Sequence, residues 1–268
     1  MQIRQIYFRS NAIDLYGALF LPTVNVGKDA YVVCHPFAEE KKSSQKPLAD
    51  LSRRLAGRGK NVLMFDFQGC GDSHGKLSES DLHVWLKNLA DAVAYISSVT
   101  GLTDISVIGL RSGATMLWPL LRKTDIIKRF ILFEPVYSLK GYLDNLIKQK
   151  MVNELLTYGK VEKTKDLLIQ ELLAGNSIDL DGHEISSPFY RSFIDFDNEI
   201  EYMTVDSKLK IDIISLSISG GPSTESEKFY KKIGNTSNVN FQTIKLESFW
   251  NKIDGVNIGP LLEAVDGL

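Results

Sequence analysis

The stretch VIGLRSGATM, Val107 to Met116, decides how this chain is read. Its first half belongs to ISVIGL (105–110), a short continuous apolar run of the kind that forms a central strand covered on both faces. Its second half sets Gly109 and Gly113 around Arg111, which stands midway between them. From Gly113 to Arg122 a helix is expected, distorted by Pro119 because proline lacks a backbone donor and crowds the preceding turn. A buried strand therefore runs through an abrupt turn straight into a helix, with a permanent cation at the apex.

Outward from that turn, similar apolar runs recur at AYVVCHP (30–36), NVLMFDF (61–67), RFILFEP (129–135), IDIISLSI (211–218) and VNFQTIKL (239–246). They predict a mostly parallel sheet. Two earlier runs, QIYFRS (5–10) and LYGALFLP (15–22), flank the turn-like Asn11 to Asp14 and predict an antiparallel hairpin. Ser80 is the expected cap of a helix whose stripe is Leu82, Trp85, Leu86, Leu89, Val93 and Ile96. A last helix is expected near Pro260. The strand–helix rhythm stops after Pro135 and resumes near Lys210, a gap of ~70 residues, too long for a structureless connection. The expected organisation is a core of 1–135 and 206–268 with a helical cap insertion at 136–205. Within it GYLDNLIKQKMVNELL and TKDLLIQELLA have helical periodicity, whereas GHEISSPFYRSFIDFD, from Gly182, reads as extended or irregular.

At 268 residues and 44% hydrophobic composition, one α/β domain with such an insertion can bury a large core. Lys+Arg 31 against Asp+Glu 33, a formal charge of -2, carries no electrostatic footprint for nucleic acid, and Lys41-Lys42 and Lys231-Lys232 read as solvated surface. No apolar run approaches the ~20 residues of a membrane span, and the N-terminal stretch lacks the apolar centre of a signal peptide. Cys34 and Cys70 alone make neither a disulfide framework nor a metal site, and free thiols suit a reducing compartment. The expectation is a soluble cytoplasmic protein with no metal and no cofactor. Oligomeric state is left open.

The order of hairpin, parallel sheet, strand-turn-helix and helical insertion resembles the α/β-hydrolase fold over nearly the whole chain. HPF (His35, Pro36, Phe37) resembles the oxyanion-loop region of these hydrolases, and DFQGCGDS (Asp66 to Ser73) resembles their D-x-R-G-x-G-x-S turn, with Gln68 in place of the arginine. The chain more closely resembles the bacterial hydrolase-like proteins associated with exosortase A systems, which accompany envelope and exopolysaccharide gene clusters. HPFAEEKKSS from His35, GLRSGA from Gly109, FEPVYSLKGYL from Phe133, GHEISSP from Gly182 and ESFW from Glu247 carry that resemblance. In those relatives the turn reads G-L-R-x-G-A, which implies that arginine at the apex is a family feature. Their hydrolase label rests on fold, and fold does not fix a reaction.

A serine hydrolase elbow reads G-x-S-x-G, with the nucleophile between the glycines. Here Arg111 holds that place, and its permanently protonated guanidinium has no lone pair for attack. The acid is expected after the penultimate strand, where SISGGPSTE offers no Asp and the nearest carboxylates are Glu225 and Glu227. The histidine is expected after the last strand, where KLESFWNKID has none; the four histidines are at 35, 74, 83 and 183. Three departures at three places point to absence of the standard triad.

Other groups remain candidates. Ser112 should begin the helix, its amide joining that of Phe37 as an oxyanion donor and its side chain turned away from Arg111. As a nucleophile it would need His35, His74 or His183 as base; as a first-turn serine it serves local helix chemistry. Cys70 lies on a turn and would need a basic neighbour such as His74, and a small buried thiol is the simpler reading. His35 either donates to a ligand or shapes its own loop, and His83 reads as structural or exposed.

Arg111 projects its charge toward the cleft at a helix N-terminus, a place that favours anions. Shielded from water, it requires a carboxylate or an anionic ligand. One reading is an ion pair with Glu134 at the end of RFILFEP, with Asp66 ending another strand nearby. The other is a carboxylate, phosphate or acidic sugar held by Arg111 under the insertion, with Glu134, His35 and Phe37 lining the site.

Three functions follow. The first is a hydrolase-like protein without a standard triad that binds an anionic or acyl small molecule, linked through the resemblance to envelope or exopolysaccharide metabolism. The second is an esterase or thioesterase with Ser112 or Cys70 as a rearranged nucleophile. The third is a protein-binding scaffold using Phe189, Tyr190, Phe193 and Phe196, which core packing also explains.

Overall fold

The computed structural model describes residues 1–24, 27–122, 125–200, 204–234, 236–252 and 255–266. Eight strands form one sheet: β1 (Gln2–Ser10), β2 (Ile13–Leu21), β3 (Ala30–Cys34), β4 (Asn61–Phe65), β5 (Ile105–Leu110), β6 (Ile127–Phe133), β9 (Lys210–Leu216) and β10 (Val239–Ile244). Their spatial order is β1-β2-β4-β3-β5-β6-β9-β10. The first two pairings, β1 with β2 and β2 with β4, are antiparallel, and the others are parallel. Every residue of β3 and β5 is buried, as unbroken apolar runs require.

One face of the sheet is covered by α1 (Ala38–Gly57) and α9 (Gly259–Asp266), and the other by α2 (Leu82–Thr100) together with α3 (Ser112–Thr115) and α4 (Trp118–Arg122). α8 (Thr224–Ile233) joins β9 to β10. Between β6 and β9 lie α5 (Leu139–Tyr158), α6 (Lys165–Leu173), the small antiparallel pair β7 (Ile178–Leu180) and β8 (His183–Ile185), and α7 (Ser187–Ile200). Asp197 ties α7 to the start of α5, accepting from Ser138 Oγ (2.6 Å), Leu139 N (2.9 Å) and Lys140 N (3.0 Å). Residues 201–203, inside the expected insertion, lie outside the described residues. No described helix is long and apolar enough to cross a membrane.

Four local expectations need correction. Asp81, not Ser80, caps α2, accepting from Val84 N at 2.8 Å, while the Ser80 hydroxyl turns back toward the Lys76 and Gln68 carbonyls. The helix expected from Gly113 to Arg122 with a distortion at Pro119 goes further and splits into two short helices, broken at Met116–Leu117, because Pro119 has no N–H to offer the carbonyl four residues earlier. GHEISSPFYRSFIDFD, expected to be extended or irregular, is extended only in β8 and otherwise holds most of α7. Phe189, Tyr190, Phe193, Phe196 and Ile200 share one buried face of α7 at three- and four-residue spacings, so the aromatics proposed as a docking surface are core.

Candidate functional site

The turn after β5 has the backbone of a nucleophile elbow. Arg111 adopts φ 54° and ψ −123°, a conformation rarely tolerated outside glycine. It is forced by close packing of β5 against α3. A Cβ on Gly109 would lie 2.5 Å from Ala114 Cα, and one on Gly113 would lie 2.4 Å from the His35 carbonyl oxygen.

Glu40, in the first turn of α1, is the partner of Arg111. The guanidinium Nε lies 3.4 and 3.3 Å from the two carboxylate oxygens, and Nη2 lies 3.3 Å from Oε1. These contacts are long for charge-assisted bonds, which are normally about 2.7–2.9 Å. Trp250 covers the cation, with Cζ 5.0 Å from the ring centroid. Both members of the pair are shielded, with 16% and 11% of their side chains exposed. Burial pushes the Glu40 carboxyl above its ordinary range while Arg111 pulls it back. Tyr142 of α5 donates to the Phe37 carbonyl (3.0 Å) beside Glu40 and Ser112, and burial drives its phenol well up.

The expected Arg111–Glu134 pair does not form. Glu134 has a left-handed backbone, φ 44°, and its Oε2 accepts from Leu216 N (2.6 Å) and Ser215 Oγ (3.1 Å), tying the end of β6 to β9. Asp66 is likewise committed elsewhere, to Lys41 at 2.8 Å.

Ser112 also departs from its expected role. Its Oγ accepts from Phe37 N at 3.1 Å, so the amide expected to serve an oxyanion is already engaged. No imidazole hydrogen-bonds Ser112 among the described residues. The His35 Nδ1 is 2.8 Å from the Pro36 carbonyl and its Nε2 lies 3.5 Å from Asp66 Oδ1, the loop-shaping arrangement. His183 meets Phe37 at a tilt, ring centroids 5.6 Å apart, and His74 sits by Asp14 and Tyr7 on the hairpin side. Cys70 lies among Lys41 and Asp66 with no bond to His74's ring, and burial pushes its thiol up to about 12, so it stays protonated.

The segments where the acid and the histidine were expected hold other partners. After β10 it is Trp250 that meets Arg111; Ile253 and Asp254 of KLESFWNKID lie outside the described residues. Beyond β9, Glu225 accepts from Tyr137 N (2.8 Å) and Glu227 pairs with Lys231 (2.6 Å). Glu40, Tyr142 and Trp250 were missed as site residues when the sequence was read for a triad. All three sit inside HPFAEEKKSS, FEPVYSLKGYL and ESFW, and the fold gathers those segments at Arg111.

Burial also sets an acid response. Desolvation, with Lys41 adding to it, lowers the His35 pKa from 6.5 to about 4. The folded state therefore binds fewer protons than the unfolded chain between these values, so stability is full above pH 6.5 and falls as pH drops toward 4. Urea titrations at pH 7 and pH 4.5 should show His35→Asn losing less stability than the parent; equal losses would remove His35 as the cause.

This sheet order and elbow define the α/β-hydrolase fold. Solved structures agree over nearly full length. The chain is similar to Est1E from Butyrivibrio proteoclasticus with ferulic acid bound, at 20% identity and TM-score 0.66, covering 98% of this chain and 96% of that one. It is similar to the Pyrococcus furiosus esterase Pf2001, at 16% identity and TM-score 0.61, covering 99% and 88%. The α/β hydrolase GrgF from Penicillium sp. sh18 matches at 14% identity and TM-score 0.63, covering 100% and 96%. No family model and no curated protein matches the chain in sequence.

Proposed function

We propose that this chain binds an anionic or acyl small molecule at Arg111 and does not hydrolyse through a Ser-His-Asp triad. The observation that carries this reading is the Arg111–Glu40–Trp250 cluster at the place of attack, with Ser112 engaged by Phe37 N–H. A guanidinium fork suits a carboxylate or phosphate, and Glu40 holds it only through long contacts, as an internal anion that a ligand can displace. The link to envelope or exopolysaccharide metabolism rests on the five segments that resemble the exosortase-associated proteins, and a cytoplasmic place rests on the free thiols.

Two measurements test the reading together. Glucuronate or a sugar phosphate at ~100 times its dissociation constant should raise the melting temperature by about 5 °C, and Arg111→Leu should abolish the rise. A fluorophosphonate probe should leave Ser112 unlabelled. Labelling that disappears in Ser112→Ala would establish the rearranged-esterase reading instead.

A further inference from the structure

Arg111 is closed off on the side of the α5–α7 segment. Tyr142 bonds the Phe37 carbonyl, His183 lies against the Phe37 ring, and only about 10 Å³ of space remains beside Ser112 and Gly113, too little for an organic ligand. A cleft of about 430 Å³ opens between α1 and the segment after β10, within the size range of small-molecule sites. Its floor is apolar, formed by Pro47, Phe249, Val256 and Ile258, and Lys42, Lys46 and Lys252 stand around it. Lys42 and Lys46 pair with Glu39 and Asp50 at exposed positions, where such pairs are weak, and Lys252 pairs with the half-buried Glu247.

Two pairs of sequence neighbours divide between the cleft and the buried cation. Glu39 lines the cleft while Glu40 holds Arg111; Phe249 lines the cleft while Trp250 covers Arg111. The Phe249 and Trp250 rings meet edge to face with centroids 5.5 Å apart. The partition is therefore Trp250 and the first turn of α1.

We infer that the ligand of Arg111 is an acyl carboxylate that reaches it through this cleft, past Trp250. Its head replaces the Glu40 carboxylate on the guanidinium, and its chain lies along Pro47, Phe249, Val256 and Ile258. Three lysines outnumber Glu39 and Asp50 around the cleft and favour the head, and the apolar floor takes the chain, of which a sugar acid uses only the charge. This inference rests on the anion-binding reading above.

The test is thermal stabilisation by decanoate, kept below its micelle concentration, against acetate and decanol. Decanoate should raise the melting temperature by about 5 °C at ~100 times its dissociation constant. Acetate and decanol at the same concentration should shift it by less than about 1 °C, since each lacks one half of the recognition. The decanoate shift should vanish in Arg111→Leu and in Val256→Trp, which fills the cleft, with Ser43→Trp as a second filling variant should the first not fold. A shift that is lost in Arg111→Leu but survives in the folded cleft variants overturns the route and leaves anion binding standing. Equal shifts from acetate and decanoate, or from decanol and decanoate, overturn the ligand class. Should no carboxylate, glucuronate or phosphate stabilise the parent protein, the anion reading falls and this one falls with it.

Discussion

Gly113→Ala is expected to cost about 3–5 kcal/mol, a large part of the ~5–15 kcal/mol that holds a domain folded. The new Cβ would stand 2.4 Å from the His35 carbonyl oxygen, 2.8 Å from the His35 carbonyl carbon and 2.8 Å from the Cys34 carbonyl oxygen. All three atoms are backbone at the end of β3, which is held by β4 on one side and β5 on the other, so none can step aside as a side-chain tip would. The remaining freedom is to lift α3 off the sheet, and that breaks the elbow. Gly57→Ala is the control: nothing lies within 4 Å of its added Cβ, and at the end of α1 the change should be neutral or stabilising by up to ~1 kcal/mol. Denaturant midpoints with matched slopes read both. A Gly113→Ala protein within ~1 kcal/mol of the parent would mean that the elbow is not set by this packing.

The second large effect is an asymmetry between the partners of the ion pair. Glu40→Leu leaves the shielded guanidinium of Arg111 with no counter-charge and no means of discharging, and should cost about 2–4 kcal/mol. Arg111→Leu leaves a buried carboxyl that can take up a proton, a form burial already favours, so the loss should be nearer ~1 kcal/mol at neutral pH. The sign of its pH dependence follows. With the cation gone, the folded-state carboxyl pKa rises further above the unfolded value, so the Glu40 contribution is full at low pH and is lost as pH rises through the folded pKa, and the variant's deficit relative to the parent grows with pH. The double variant should recover most of the Glu40→Leu loss, since two apolar side chains replace a paired charge at little net cost. Additive losses in the four-protein cycle would show that the two residues do not sense one another.

Much of the architecture was legible in local pattern. Continuous apolar runs announced β3, β5 and β9 because strands covered on both faces have no polar side to alternate with, and the Asn11–Asp14 turn announced the hairpin. Helix α7 was lost because its Phe-rich stripe begins right after Ser186-Ser187-Pro188, which reads as a loop; the spacing of Phe189, Phe193, Phe196 and Ile200 carried the helical signal all the same. The site was legible only in half. Arg111 stands out because a single turn fixes its place, whereas Glu40, Tyr142 and Trp250 reach it from three other elements, and no periodicity within one segment encodes a meeting between segments. Glu134 was the natural choice from strand order, but left-handed backbone at its own position turned it toward Ser215 and Leu216. The absence of a histidine after β10 was plain to see, while the tryptophan that stands there had no meaning until its ring was found over the cation.

The elbow backbone at residue 111 stores roughly 1–3 kcal/mol of strain under an arginine. Since the glycines flanking it dictate that shape, whatever side chain occupies the apex is delivered to the same spot, between Glu40 and Trp250. Position 111 is in effect a socket: a probe residue installed there, fluorescent or redox-active, would be seated by the scaffold itself and report on whatever enters between Glu40 and Trp250.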